Sequence, residues 1–315
     1  MGDKGYKPFF LKLLLGAAIL LVADRVAGLL IRNLYFKQAA GDICRATYTI
    51  DSSREQILVL GSSRASHHYV PGVLTNLLGK SCYNAGRDGS EILNNYAIFK
   101  MALKRYSPEL IIIELAPKEL YYTQEDYDKL STLLPYYDQH PEIRDIVNLR
   151  GKFEKYKLYS SIYPFNSQLI SLAIGKLRLT KDPGLSTSGY LPLYQKMKNV
   201  KADNFLKDPG ELIDSNKRKA LNDILTTCRQ KKIPIIFICS PVLNNAVNKN
   251  VTIEINRIVN KYQTAYWDFS NDSTFDNHPE YFKDNSHMND RGAKLFSTII
   301  AERIASKKSI TQGQQ

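Results

Sequence analysis

The chain has 315 residues, with 43 Lys and Arg against 31 Asp and Glu and a formal net charge of +12. Hydrophobic residues at 43% and charged residues at 23% are globular values, which exclude a wholly disordered or collagen-like chain. The length suits one large domain or two ordinary ones, and a single long apolar run excludes a polytopic membrane protein. The basic excess favours an anionic neighbour such as lipid headgroups, an acidic glycan or nucleic acid. Four cysteines are too few for a disulfide scaffold, and Cys82 and Cys239 fall in apolar segments that read as buried strands, so free thiols are expected there.

Phe9 to Ile31 is the long apolar run. Leu13 to Ala23 alone is too short to cross a bilayer, which needs roughly 20 residues, and the extension to Ile31 takes in Asp24 and Arg25. Lys4, Lys7 and Lys12 precede it and no good cleavage site follows. The expectation is an uncleaved anchor over residues 1–33 with its N-terminus in the cytoplasm. A linker over 34–55 follows, and the remaining domain lies outside the cytoplasm.

From residue 56 the chain alternates short apolar runs with helical patterns. Strands are expected at Gln56–Leu60, Ser81–Asn84, Leu110–Leu115, Pro234–Cys239 and Thr264–Phe269. Helices are expected at Glu91–Tyr106, Glu211–Lys231, Val251–Tyr262 and Asp290–Ser306. Continuous apolar strands joined by helices imply a parallel sheet buried on both faces. The fold class is therefore α/β, a three-layer open parallel sheet of about five strands spanning 56–306. Between about 121 and 210 the alternation stops and tyrosines accumulate. This is too long for a plain loop and reads as a mostly helical insertion over one end of the sheet. Residues 307–315 read as a disordered tail.

Ligands of open parallel sheets bind beyond the carboxyl ends of the strands. The residues there are Gly61-Ser62-Ser63-Arg64, then Asn84-Ala85-Gly86, then Ala116-Pro117-Lys118-Glu119, then Ser240-Pro241, and finally Asp284-Asn285-Ser286-His287. A serine in a glycine turn, an aspartate and a histidine on one edge are the groups that acyl transfer needs. Taken singly, each has a plainer reading: Gly-Ser-Ser as a tight turn, Asn289 or Asp290 as a helix cap, Asp284 as a loop residue. His67 and His68 are adjacent and do not share a helix face, so no metal site is expected, and no cofactor is implied.

Gly61-Ser62-Ser63-Arg64, Tyr83-Asn84-Ala85-Gly86 and Phe282-Lys283-Asp284-Asn285-Ser286-His287, with Asn289 and Gly292-Ala293, together resemble the SGNH (GDSL-like) hydrolase superfamily. The likeness is greatest to its membrane-anchored envelope branch, similar to proteins of teichoic acid D-alanylation and alginate O-acetylation. The resemblance implies a flavodoxin-like sheet with Ser63 as nucleophile, His287 as base and Asp284 orienting it. It implies an oxyanion hole from the backbone N–H groups of Ser63 and Gly86. The Gly-x-Asn-Asp block usual after the third strand is replaced by Ala116-Pro117-Lys118-Glu119. Lys118 or Arg64 is then left to supply the further donor, or the hole is incomplete.

The expected function is a serine esterase or O-acyltransferase on the inner membrane acting on an envelope polysaccharide or lipid-linked glycan, with a multi-spanning membrane acyltransferase as the partner the resemblance implies. The alternative is a catalytically degenerate fold that binds glycan or scaffolds an assembly. No nucleic-acid recognition motif is present, and no nucleic-acid partner is expected.

Overall fold

The computed structural model describes residues 6–177, 179, 185–197, 213–243 and 249–312. Five strands form one parallel sheet in the order β2-β1-β3-β4-β5: β1 (Ile57–Leu60), β2 (Cys82–Asn84), β3 (Leu110–Glu114), β4 (Ile235–Cys239) and β5 (Ala265–Asp268). All five strands expected from the apolar runs are present, each shorter by one or two residues. The two sets of side chains along each strand enter different cores. Leu58, Leu60, Ile111, Ile113 and Phe237 pack on one face, and Ile57, Val59, Leu110, Ile112 and Ile238 on the other. Burial on both faces is why these strands read as continuous rather than alternating apolar runs.

Preceding the sheet are α1 (Tyr6–Phe36) and α2 (Gly41–Asp51). α3 (Ser63–His68) and α4 (Pro71–Leu78) join β1 to β2, and α5 (Ile92–Arg105) joins β2 to β3. The insertion contributes α6 (Gln124–Lys129), α7 (Arg144–Asn148), α8 (Glu154–Lys157) and α9 (Leu169–Lys176), separated by 3-10 turns. α10 (Ser215–Lys231), α11 (Lys249–Lys261) and α12 (Asp290–Gln312) complete the layers. Phe296, Ile300 and Ile304 of α12 cover the second face with Leu74 of α4, while α2, α5, α10 and α11 cover the first.

α1 is long and apolar enough to cross a membrane. It divides at its charged pair. Leu11, Leu14, Leu20 and Val22 are exposed, whereas beyond Asp24 the helix packs on the protein through Gly28 and Tyr35. Asp24 accepts hydrogen bonds from Ser160 Oγ (2.5 Å) and the Ser161 amide (2.7 Å). Arg25 donates to the Tyr159 carbonyl (2.7 Å) and Ser161 Oγ (2.6 Å). Any side chain at Gly28 would meet Ser161 at 2.3 Å.

Three expectations are corrected. The 34–55 stretch is not a linker: Tyr35 is fully buried, and α2 buries Ile43 and Ile50 in the first core, because its apolar residues recur at helical spacing. The insertion is not confined to one end of the sheet. Its Tyr121, Tyr127, Tyr136 and Phe165 join the first core, where Phe165 and Tyr136 pack on Tyr35 with ring centroids 5.5 and 6.0 Å apart. Residues 178, 180–184 and 198–212 of the expected insertion, and the start of the helix expected from Glu211, lie outside the described residues. The C-terminal stretch expected to be disordered from 307 continues α12 as far as Gln312, and 313–315 lie outside the described residues.

Beyond β3, Glu91 and Glu119 share a pocket of charge with Asp126 and the buried Lys217, whose ammonium donates to Asp126 and the Tyr121 carbonyl. Burial, reinforced by the Asp126 carboxylate, pushes Glu91 up to about 7. An unfolded glutamate titrates near ~4.3, so the folded chain holds the extra proton between these values. This contribution to stability is complete below the unfolded value and is lost as pH rises through about 7. Glu91→Gln should therefore raise the melting temperature at pH 8 and make little difference at pH 4. Thermal melts at the two pH values check this, and an equal effect at both would refute it.

Candidate active site

The site begins with a glycine. Gly61 leaves β1 at φ +149°, and a Cβ there would lie 2.7 Å from Glu114 Cβ and 2.8 Å from Ala65 Cβ. Only glycine permits this exit, which places Ser63 as the first residue of α3. The first amide groups of a helix have no partner within it, so the Ser63 N–H stands at an open helix start.

The other half comes from the loop before α12. Phe282 and Met288 form an antiparallel bridge, and the Lys283 amide donates to the His287 carbonyl at 2.9 Å, closing the 283–287 turn. Inside it, Asp284 accepts from the amides of Ser286 (3.0 Å) and His287 (2.9 Å). An aspartate bonding forward in this way makes its own turn, which is why Asp-x-x-His holds its geometry locally. Asn289 accepts the Gly292 amide at 3.1 Å, starting α12 directly behind the turn.

Ser63 Oγ lies 2.8 Å from His287 Nε2. His287 Nδ1 lies 2.9 and 3.0 Å from the two carboxylate oxygens of Asp284. An ionised carboxylate only accepts, so Nδ1 carries the ring proton and Nε2 faces the serine hydroxyl as acceptor. Burial works against the Asp284 charge. The bonds and charge of His287 and the two amides more than offset it, holding the carboxyl far below the usual range. The structure thus brings Ser63, His287 and Asp284 into one continuous hydrogen-bonded line.

The expected oxyanion donors are placed differently. The Gly86 N–H donates to its neighbour Asn84 Oδ1 at 2.9 Å, and Asn84 Nδ2 is held by the carbonyls of Ala65 and Tyr69. Gly86 is needed for fit: a Cβ there would come within 2.4 Å of the Ser66 amide. Arg64 is turned away from the open edge into a buried ion pair with Glu114 at 3.0 Å, so it does not stand in as a donor. Burial disfavours its charge, but Glu114 beside it more than restores it. Lys118 sits in the 3-10 turn Pro117–Leu120, where burial lowers its affinity for a proton against the pull of Glu91 and Glu119.

His67 and His68, which the sequence marks only as an unsuitable metal pair, both take part in the site. The His67 ring stands edge-on to His287 with centroids 5.6 Å apart, and its nitrogens face the Leu191 carbonyl (2.7 Å) and Asp88 (3.3 Å). His68 is fully buried and is held neutral chiefly by that burial, with the charge of Arg64 adding to it. Its Nε2 accepts the Met288 amide at 2.9 Å, and Nδ1 meets Ser240 Oγ at 2.7 Å. Glu114 in turn accepts from Ser240 Oγ at 3.0 Å and from Tyr69 at 2.5 Å. The only sequence signal was a Ser at the end of β4 and a histidine at the end of a short helix, and neither is distinctive alone.

His67 also walls a cavity of about 650 Å³ that extends from the end of α3 toward α9. Its other walls are largely apolar, with Ile43, Ile174, Leu191, Leu193 and Tyr194. The Leu191 amide donates to the Ser66 carbonyl and the Asp290 amide to the Leu193 carbonyl, so the strap at 191–193 is fixed between α3 and α12.

No family model and no curated protein matches the chain. One solved structure similar to it is a protein from Streptococcus pneumonia described provisionally as a platelet activating factor. It is 12% identical, with a TM-score of 0.42 over 89% of this chain and 98% of that one.

Because Met288 adjoins His287, His68 fixes the histidine turn from below. His68→Ala would leave the buried Met288 amide without its acceptor, at a cost of about 1–3 kcal/mol. Denaturant unfolding should show this loss, and an unchanged midpoint would mean that the turn holds itself.

Proposed function

We propose that the protein is a membrane-anchored serine esterase or O-acyltransferase that acts on an envelope polysaccharide or a lipid-linked glycan. The observation that carries this reading is the line from Ser63 Oγ to His287 Nε2 at 2.8 Å and from His287 Nδ1 to Asp284 at 2.9 Å. In this reading Ser63 attacks the acyl carbonyl carbon while its proton passes to His287 Nε2. The tetrahedral intermediate collapses as the leaving alkoxide takes that proton, and the acyl group stays on Ser63. The oxygen of water or a sugar hydroxyl then attacks the acyl carbon as its proton passes to His287, and His287 returns that proton to Ser63 Oγ as the ester bond to Ser63 breaks. Asp284 accepts a hydrogen bond from the Nδ1–H throughout and stabilises the imidazolium. In this reading the Ser63 amide, at the open start of α3, receives the oxyanion, and the cavity beside His67 takes the substrate.

The glycan substrate and a multi-spanning acyltransferase partner rest on the family resemblance and on the basic charge of the chain. The anchor rests on the exposed apolar half of α1. Lysines ahead of it favour an extracytoplasmic domain. The second reading, a non-catalytic binding or scaffold protein, is favoured by one observation. The Gly86 N–H is held by Asn84, and the loss of an oxyanion donor slows an acyl-transfer enzyme by roughly 100- to 1000-fold.

A fluorophosphonate probe separates the two readings. The full-length protein should label at Ser63. Ser63→Ala should abolish labelling and Ser62→Ala should spare most of it. His287→Ala should match Ser63→Ala, with the double variant little worse, because the groups act as a unit. Labelling that survives Ser63→Ala, or none in the wild type, leaves the binding reading.

If α1 spans the bilayer, the full-length chain should remain in the membrane fraction through high-salt and carbonate washes. Release by salt alone would mean that charge, not an apolar span, holds it there.

A further inference from the structure

We propose that Lys152–Tyr159 is a second membrane contact, lying in the headgroup layer of an anionic bilayer and setting the tilt of the domain over it. The inference rests on α1 spanning the membrane, as proposed above. It begins with the charged pair that interrupts the apolar run of α1. The hydrocarbon core of a bilayer is about 30 Å thick and takes roughly 20 helical residues. Tyr6 to Ala23 supplies nearly that; with this stretch across the core, Asp24 and Arg25 fall at the polar boundary and the exposed Val26, Leu29 and Leu30 just beyond it. Both side chains are bonded to one loop: Arg25 to the Tyr159 carbonyl and Ser161, Asp24 to Ser160 and Ser161. The boundary depth of α1 and the position of this loop are therefore a single structural fact.

The residues leading into the loop carry the chemistry of a membrane interface. Phe153, Tyr156 and Tyr159 are 58%, 53% and 73% exposed, three open rings within seven residues of chain. α8 explains why they face outward. Its Glu154 is buried (1% exposed), where Arg150 and the Tyr163 hydroxyl hold it. With that end of the turn directed inward, Phe153 and Tyr156 are displayed. The Lys152 and Lys155 ammonium groups lie over the rings of Phe153 and Tyr156 at 4.8 and 5.0 Å. The one acidic side chain of the turn is thus inside, and its exposed face offers aromatics and cations. Aromatic rings with lysines at the same level are the composition that partitions to headgroups, and the cations select anionic lipid.

Site-directed spin labelling of the full-length chain in phosphatidylcholine–phosphatidylglycerol vesicles tests this. The native Cys44, Cys82, Cys228 and Cys239 are all buried, so an introduced surface thiol takes the label. Labels go at Tyr156→Cys, at Leu14→Cys in the exposed half of α1, and at Leu77→Cys on α4 across the sheet. Accessibility to oxygen is compared with accessibility to a water-soluble nickel complex. The proposal expects oxygen to be favoured strongly at 14 and clearly at 156, with nickel favoured at 77. Lys152→Glu with Lys155→Glu, or vesicles of phosphatidylcholine alone, should move 156 several-fold toward nickel and leave 14 unchanged. Nickel favoured at 156 while 14 stays in lipid would overturn the contact and leave the anchor standing. A 156 label shielded only when a partner membrane protein is added would also overturn it, in favour of a protein interface. Nickel favoured at both 14 and 156 would overturn the anchor and the contact together.

Discussion

One buried ion pair underlies the candidate site. Arg64 follows Ser63 in the chain, and Glu114 ends the central strand β3; they meet at 3.0 Å with almost no exposure. Charges this deep are costly to bury and persist only when the surrounding groups complete their hydrogen bonds. Here Ser240 and Tyr69 supply most of them: Glu114 accepts from both and the Arg64 Nε donates to Ser240 Oγ at 3.1 Å, while Arg64 Nη1 is buried without a partner. Ser240 then meets His68, which receives the Met288 amide beside His287. The network therefore ties the ends of β3 and β4, both ends of α3 and the histidine turn into one unit. Ser63 and His287 are 224 positions apart in the chain. Their alignment is a consequence of this polar floor as much as of the sheet.

The same economy of contacts explains the asymmetry of the site. The histidine side is over-determined: the turn is closed by its own amides, by the Phe282–Met288 bridge and by His68. The oxyanion side is not. The glycine that packs tightly on α3 has its amide engaged by Asn84, and the guanidinium nearest the serine lies below the site. A firmly built histidine turn thus stands beside a Gly86 amide that is already engaged.

The N-terminal helix is part of the domain as well as a candidate anchor. Its last turns contribute Tyr35 to the first core, and its charged pair is satisfied by the insertion. The insertion couples the apolar half of α1 to the layer that carries α2 and α5. It also lends α9 to the cavity next to His67.

Much of this was readable in the chain. Five parallel strands followed from five apolar runs separated by helical periods, because strands buried on both faces must be continuously apolar. The grouping of Ser63, Asp284 and His287 at one edge followed from strand order, and the Asp284–His287 contact from local turn chemistry. The role of 34–51 was missed because helix α2 is short and polar on average, and its burial depends on a neighbour far along the chain. The insertion's place was missed because its tyrosines have no period that identifies their partner. The commitments of Gly86, Arg64 and His68 could not be read at all. Whether a backbone amide is free, or a cation faces solvent, depends on atoms brought close only by folding. Local sequence determines turns, strands and which residues reach the sheet edge; the pairing of buried polar groups there is settled by tertiary packing, where leaving one unpaired costs more than any local preference.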